Sequence, residues 1–158
     1  MREWPGDWID ANPYGNLYQL GSGTAYHTGA DLNLNSPHWD ADKDAPVYAA
    51  AAGVVTYARR VPAPSTWGRL VVIRHDGGVY TRYAHLGSML VTEGQTVTKG
   101  QQIGTIGGAE FGLPNHLHFD VSLTERLATY PLDWPGMTWS RIERDYTNPL
   151  TFILARKA

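Results

Sequence analysis

The chain has 158 residues and no cysteine, so it is long enough for one packed domain but has neither a disulfide framework nor a thiolate metal site. Its formal charge of −2, with acids and bases mixed along the chain, offers no basic stripe for nucleic acid or an anionic membrane. The longest weakly polar run, residues 45–55, falls short of the about 20 apolar residues that a membrane span needs. The first residues lack the apolar core of a signal peptide, so the chain is expected either not to be exported by that route or to have lost a leader.

Seventeen glycines and ten prolines interrupt helical periodicity almost everywhere, and what remains is short and strand-like. Residues 1–25, rich in Pro, Gly, Asn and Trp, read as an irregular N-terminal arm. In His27-Thr-Gly-Ala-Asp31, a straight strand would hold the first and last alpha carbons about 13 Å apart. A bend is therefore expected, with Gly29 as the permissive residue. His38, between Pro37 and Trp39, reads as exposed. Asp40, Asp42 and Asp44 imitate the start of a calcium loop, but Ala45 and Ala51 stand where glycine and glutamate are needed; a solvated acidic turn is expected instead. Residues 54–59 read as a strand. Residues 69–74 and 79–84 flank His75-Asp-Gly-Gly78, a hairpin signal that makes His75 structural. His85 then falls at the end of the hairpin's second strand, where catalytic groups tend to sit. The glycine-rich stretch 104–112 is followed by no Lys-Ser/Thr and is not a phosphate loop. Residues 116–123 alternate most cleanly of all. Residues 124–147 read as a long loop with a short helix over 139–145, and Trp134 and Trp139 as packing residues. Frequent short strands with glycine-rich turns indicate one antiparallel, all-β domain.

The histidines carry the chemistry. Without cysteine, zinc is held by imidazole and carboxylate, a donor set more typical of catalytic than of structural sites. In the last strand His116, His118 and Asp120 share one side, and Leu117, Phe119 and Val121 the other. The two imidazoles lie about 7 Å apart by strand rise, which suits two roles at one centre or a shared metal. One imidazole and one carboxylate from the first motif, with one imidazole from the last strand, make three ligands. A fourth position is left for water, the arrangement of a hydrolytic zinc site.

With these residues assembled, the sequence resembles the lysostaphin-type peptidoglycan endopeptidases. The likeness runs from Tyr26 to Asp120, with an echo at Asn148-Pro-Leu. It rests on Tyr26-His-Thr-Gly-Ala-Asp31, the stretch from Ala45 through Gly53 to Val55, Arg82-Tyr-Ala-His-Leu86, Val97-Thr-Lys-Gly-Gln-Gln-Ile-Gly104 and His116-Leu-His-Phe119. The resemblance implies antiparallel sheets in a compact, sandwich-like domain (the duplicated hybrid motif) with long loops forming a groove. Residues 26–123 would be its catalytic core and 124–158 its closing segment. It further implies that His27, Asp31 and His118 bind zinc, while His116 and His85 are catalytic. One would move the proton of an attacking water, and the other would orient that water or bond the oxyanion. The implied substrate is a peptidoglycan peptide, in the stem or the cross-bridge. The implied setting is the cell envelope, the cell exterior or a phage particle, and the enzyme would work as a monomer.

Three features depart from the family pattern. Asp120 stands where glutamate is usual, and residues 109–115 lack a small Ser/Thr-Gly step. A tyrosine ahead of the first motif has no clear match; Gly21 falls near its place and Tyr18 is a substitute. Two other readings are weaker. A catalytically inactive binding module of the same family would be expected to have lost ligands, and all are here. A biotinyl- or lipoyl-like carrier domain is suggested by residues 93–104, but Lys99 stands at the wrong position.

Overall fold

The computed structural model describes residues 7–20, 23–34, 38, 40–107 and 114–156. Gly21 and residues 109–113 therefore lie outside the described residues. Twelve strands occur in chain order among them: β1 (Ile9–Asn12), β2 (Leu17–Leu20), β3 (Gly23–Tyr26), β4 (Ala30–Asn33), β5 (Pro46–Tyr48), β6 (Gly53–Arg60), β7 (Arg69–Arg74), β8 (Tyr80–Met89), β9 (Thr96–Val97), β10 (Gln102–Ile106), β11 (Leu117–Ser122) and β12 (Tyr146–Thr147). Three short helices follow the pattern of the C-terminal third: α1 (Arg126–Thr129), α2 (Trp139–Asp145) and α3 (Pro149–Leu154).

The expected hairpin is β7–β8, turned by Asp76–Gly78 with Gly77 and Gly78 both at positive φ. His75 is structural: one ring nitrogen bonds the Ala52 carbonyl at 2.8 Å and the other the Thr81 hydroxyl at 2.7 Å. The main sheet runs β1-β4-β11-β8-β7-β6-β9, antiparallel throughout. The far half of β8 pairs with β10, and β10 with β5, so the sheet folds back over itself. Val55, Val71, Ile73, Tyr83, Phe119 and Val121 meet Val47, Val97, Ile103 and Ile106 in the fold. The opposite face carries a second cluster that includes Leu70, Val72, Tyr80, Leu127, Ile142 and Tyr146. β7 is thus covered on both faces, which is why Leu70-Val-Val-Ile73 reads as an unbroken apolar run rather than an alternation.

Three expectations change. The N-terminal arm is not irregular: β1 pairs with β4 and β2 pairs with β3. Strands of four residues with a bulge between Asp10 and Asn12 are too short and uneven to leave a period in the sequence. The acidic turn is not wholly solvated, because Asp42 is buried. The Asp44 N–H donates to Ile106 O at 3.0 Å, and Ile106 N–H donates to Ala45 O at 2.8 Å, which draws the turn onto β10. The 124–147 segment contains the expected helix over residues 139–145, but also α1 and β12, and it closes the second cluster. The Asn148-Pro-Leu echo is a helix start. Asn148 Oδ1 accepts from the N–H groups of Leu150 and Thr151, and Pro149 takes the first turn.

Residues 28–29 bend as expected before β4. The reason for a glycine is space rather than backbone freedom. A Cβ on Gly29 would lie 2.3 Å from Phe119 O and 2.7 Å from Asp120 Cβ. Overpacking of this kind costs about 1–3 kcal/mol. We expect Gly29→Ala to lower the thermal midpoint by about 2–4 °C for each kcal/mol lost, read by calorimetry. An unchanged midpoint would show that β4 and β11 can part without cost.

A candidate metal centre and its surrounding imidazoles

β11 carries its apolar residues into the folded-back core and its polar ones to the other face, as the alternation requires. That polar face is buried too: His118 is 4% exposed, Asp120 and Ser122 not at all. Pairing of β11 with β4 sets His118 opposite Asp31. The bend at residues 28–29 swings His27 onto the same spot.

The result is a triangle of donor atoms. His118 Nδ1 lies 3.0 Å from His27 Nε2 and 3.0 Å from Asp31 Oδ1, and the last two are 3.2 Å apart. These three groups are the one set among the described residues that could hold a metal ion. A tetrahedral ion with bonds of 2.0–2.1 Å has edges of about 3.3 Å, so the donor set fits zinc in both chemistry and spacing. Burial disfavours charge on Asp31, yet hydrogen bonds with His118 and His27 outweigh it and hold the carboxyl well below the usual carboxylate range. Burial also opposes charge on His118, but Asp120 and Asp31 prevail and raise it to about 9.

The triangle is braced from behind. His118 Nε2–H donates to Asp120 Oδ2 at 3.0 Å, which turns Nδ1 toward the centre, where a metal ion would displace its proton. Asp120 Oδ2 also accepts from Thr28 Oγ1 at 3.2 Å and Arg82 Nε at 3.1 Å. Asn12 Nδ2 donates to Asp31 Oδ2 at 3.1 Å, so Oδ1 alone faces the imidazoles.

His116 and His85 stand beside the triangle. His116 Nε2 is 3.8 Å from Asp31 Oδ1, and its Nδ1–H donates to the Pro114 carbonyl at 2.9 Å. The His85 ring lies 4.5 Å from that of His116 and 6.1 Å from that of His118, between centroids. Burial, then the neighbouring imidazoles of His116 and His118, push His85 down to about 3. Strict alternation along β8 would have sent His85 into the core beside Tyr83. A bulge prevents it: two residues of β8, Ala84 and His85, oppose Leu70 alone, and His85 takes a φ of 60°.

All five residues expected from the sequence are therefore neighbours. Sequence reasoning missed roles for Arg82, Trp67 and Asn12, and reached Tyr18 only as a substitute. Tyr18 stands edge-on to His27 with centroids 6.1 Å apart, and its neighbour Trp134 is 6.4 Å away. Trp139, by contrast, packs against Tyr14 and Tyr26 as expected. A charged residue inside the strand Tyr80-Thr-Arg-Tyr-Ala-His was the available signal for Arg82. Nothing local marked Trp67 or Asn12.

A His-Asp-His triangle with two further imidazoles beside it, on an antiparallel scaffold, is a set of groups that could hold a metal ion. The chain belongs to peptidase family M23, whose model matches residues 25–129. It is 40% identical over 110 residues to the peptidoglycan DD-endopeptidase ShyA of Vibrio cholerae, a match covering 70% of this chain and 23% of that one. The chain thus spans less than a quarter of that relative's length. A zinc-containing peptidase structure from Vibrio cholerae is 29% identical, with a TM-score of 0.56, over 76% of this chain and 33% of that one. The fold is shared with the catalytic domain of lysostaphin from Staphylococcus simulans. That match has a TM-score of 0.69 at 23% identity and covers 98% of both chains.

Proposed function

We propose that this chain is a zinc-dependent endopeptidase that hydrolyses peptide bonds of bacterial peptidoglycan, at the cell envelope, outside the cell or from a phage particle. The observation that carries the reading is the donor triangle of His27, Asp31 and His118, with edges of 3.0, 3.0 and 3.2 Å. Family membership and a peptidoglycan DD-endopeptidase among its relatives supply the substrate class. No helix of the described residues is long and apolar enough to cross a membrane.

Zinc held there supplies Lewis acidity, which polarises a carbonyl and lowers the pKa of a water from 15.7 to about 7. The chain's own groups do the rest. His116 has given its Nδ1–H to Pro114, so Nε2 keeps a lone pair beside the centre. It takes the proton of the attacking water and returns it to the leaving amine. His85 is neutral near pH 7, and it donates its N–H to the Thr66 backbone. Its other nitrogen is an acceptor, which suits it to orienting the water rather than to bonding an oxyanion. Tyr18 is the better oxyanion donor. Burial, then Asp31, push its hydroxyl up to about 12, so it keeps its proton, and Trp134 hydrogen-bonds its oxygen.

His116→Ala tests the division of labour. We expect the variant to keep its zinc and to lose hydrolysis of purified peptidoglycan by about 10²–10⁴-fold, the usual contribution of a general base. Loss of zinc would make His116 a ligand, and undiminished hydrolysis would remove it from the chemistry.

A further inference from the structure

The connection between β6 and β7 sends one aromatic side chain under the centre. The indole of Trp67 stacks on His85 at 6.2 Å and 19°, meets His118 edge-on at 5.2 Å and 72°, and carries the Arg82 guanidinium 4.2 Å from its ring centre. These spacings lie in the range of favourable ring pairs and cation–π contacts. The backbone of the same segment holds His85 twice more. Trp67 O accepts the His85 N–H at 3.1 Å, and the Thr66 backbone bonds the imidazole itself.

These contacts matter because His85 is held in a conformation it would not choose. A non-glycine residue at φ 60° is strained and persists only where its surroundings impose it. On the far side, Gly107 N–H donates to His85 O at 2.9 Å, and a Cβ on Gly107 would lie 2.4 Å from that oxygen. The His85 peptide is thus clamped between Gly107 and residues 66–67, while the indole sets the plane of its ring.

We propose that Trp67 is a positioning residue, which fixes the imidazole of His85 beside His116 by stacking on it. The proposal rests on the reading that His85 acts on the substrate water. A purely structural role would need only apolar bulk at this place, and a leucine supplies that. An aromatic ring with a defined plane is what His85 requires.

The test compares Trp67→Phe with Trp67→Leu on a soluble cross-linked muropeptide, with zinc content measured alongside. Misplacing a reacting group by about 1 Å costs about 100-fold. We expect Trp67→Leu to lower kcat by about that factor with KM and zinc stoichiometry little changed, and Trp67→Phe to restore most of the loss. Equal losses in both variants, or full kcat in Trp67→Leu, would overturn the proposal. The second readout needs no activity. Stacking shifts the His85 ring protons of the zinc-free protein upfield in the proton NMR spectrum. That shift should survive Trp67→Phe and collapse in Trp67→Leu. An inactive wild type that shows this pattern would support the positioning and overturn the peptidase reading. A resonance that does not move in Trp67→Leu would overturn the positioning.

Discussion

His118→Ala should leave the purified protein with almost no zinc and with hydrolysis lowered by at least about 10³-fold. The metal is asked for several kcal/mol of transition-state stabilisation, and each 1.36 kcal/mol is tenfold in rate. Removing Nδ1 leaves His27 Nε2 and Asp31 Oδ1 alone, 3.2 Å apart, with two donors where the site has three. Losing only a supporting hydrogen-bond partner typically costs 10–100-fold in metal affinity, so losing a ligand costs more. Metal analysis after dialysis, paired with release of soluble fragments from purified cell walls, reads both effects. The alanine also deprives buried Asp120 of a donor, so circular dichroism of the variant belongs in the same experiment. A folded variant that still holds one zinc per chain would remove His118 from the ligand set. Wild-type protein that binds no zinc would remove the metal altogether.

The second large effect is expected at the ion pair that braces the donor triangle from behind. Arg82 and Asp120 form an ion pair with both side chains wholly buried. Breaking such a pair from one side typically costs 3–5 kcal/mol, because an uncompensated charge stays in the interior. Arg82→Met should therefore lower the thermal midpoint by about 6–20 °C for a chain of this length. Two more bonds are lost with it, from Arg82 Nη1 to Pro131 O at 3.1 Å and to Asp133 O at 2.7 Å, which tie the 124–147 segment to the sheet. Asp120→Leu in the same chain removes the stranded carboxylate, so the double variant should be more stable than Arg82→Met alone. Losses that simply add would show that the two groups are not coupled. A midpoint shift under 2 °C in Arg82→Met would show that Asp120 finds another partner.

Much of this architecture was written locally. The hairpin over residues 69–84 follows from two β-rich runs around His75-Asp-Gly-Gly78, and its turn glycines both take positive φ. The face of β11 follows from alternation alone, which sorts Phe119 and Val121 from His118 and Asp120. The spacing of His27 and Asp31 demanded a bend, and the bend is there. The N-terminal strands escaped notice because four residues are too few for a period of two to rise above composition.

What the sequence by itself determined is the set of chemical groups: imidazoles and carboxylates but no thiolate, strung on short strands in an order that resembles one family. Their meeting was decided by tertiary structure. Which side of β8 carries His85 depends on a bulge, and the bulge depends on the β7 register, residues 66–67 and Gly107. The need for a glycine at position 29 comes from Phe119 and Asp120, some ninety residues further on. Asn12, Tyr18, Trp67 and Arg82 reach the centre from four separate strands and turns. Periodicity is a property of neighbours in the chain, whereas a donor triangle 3 Å on a side is a property of neighbours in space.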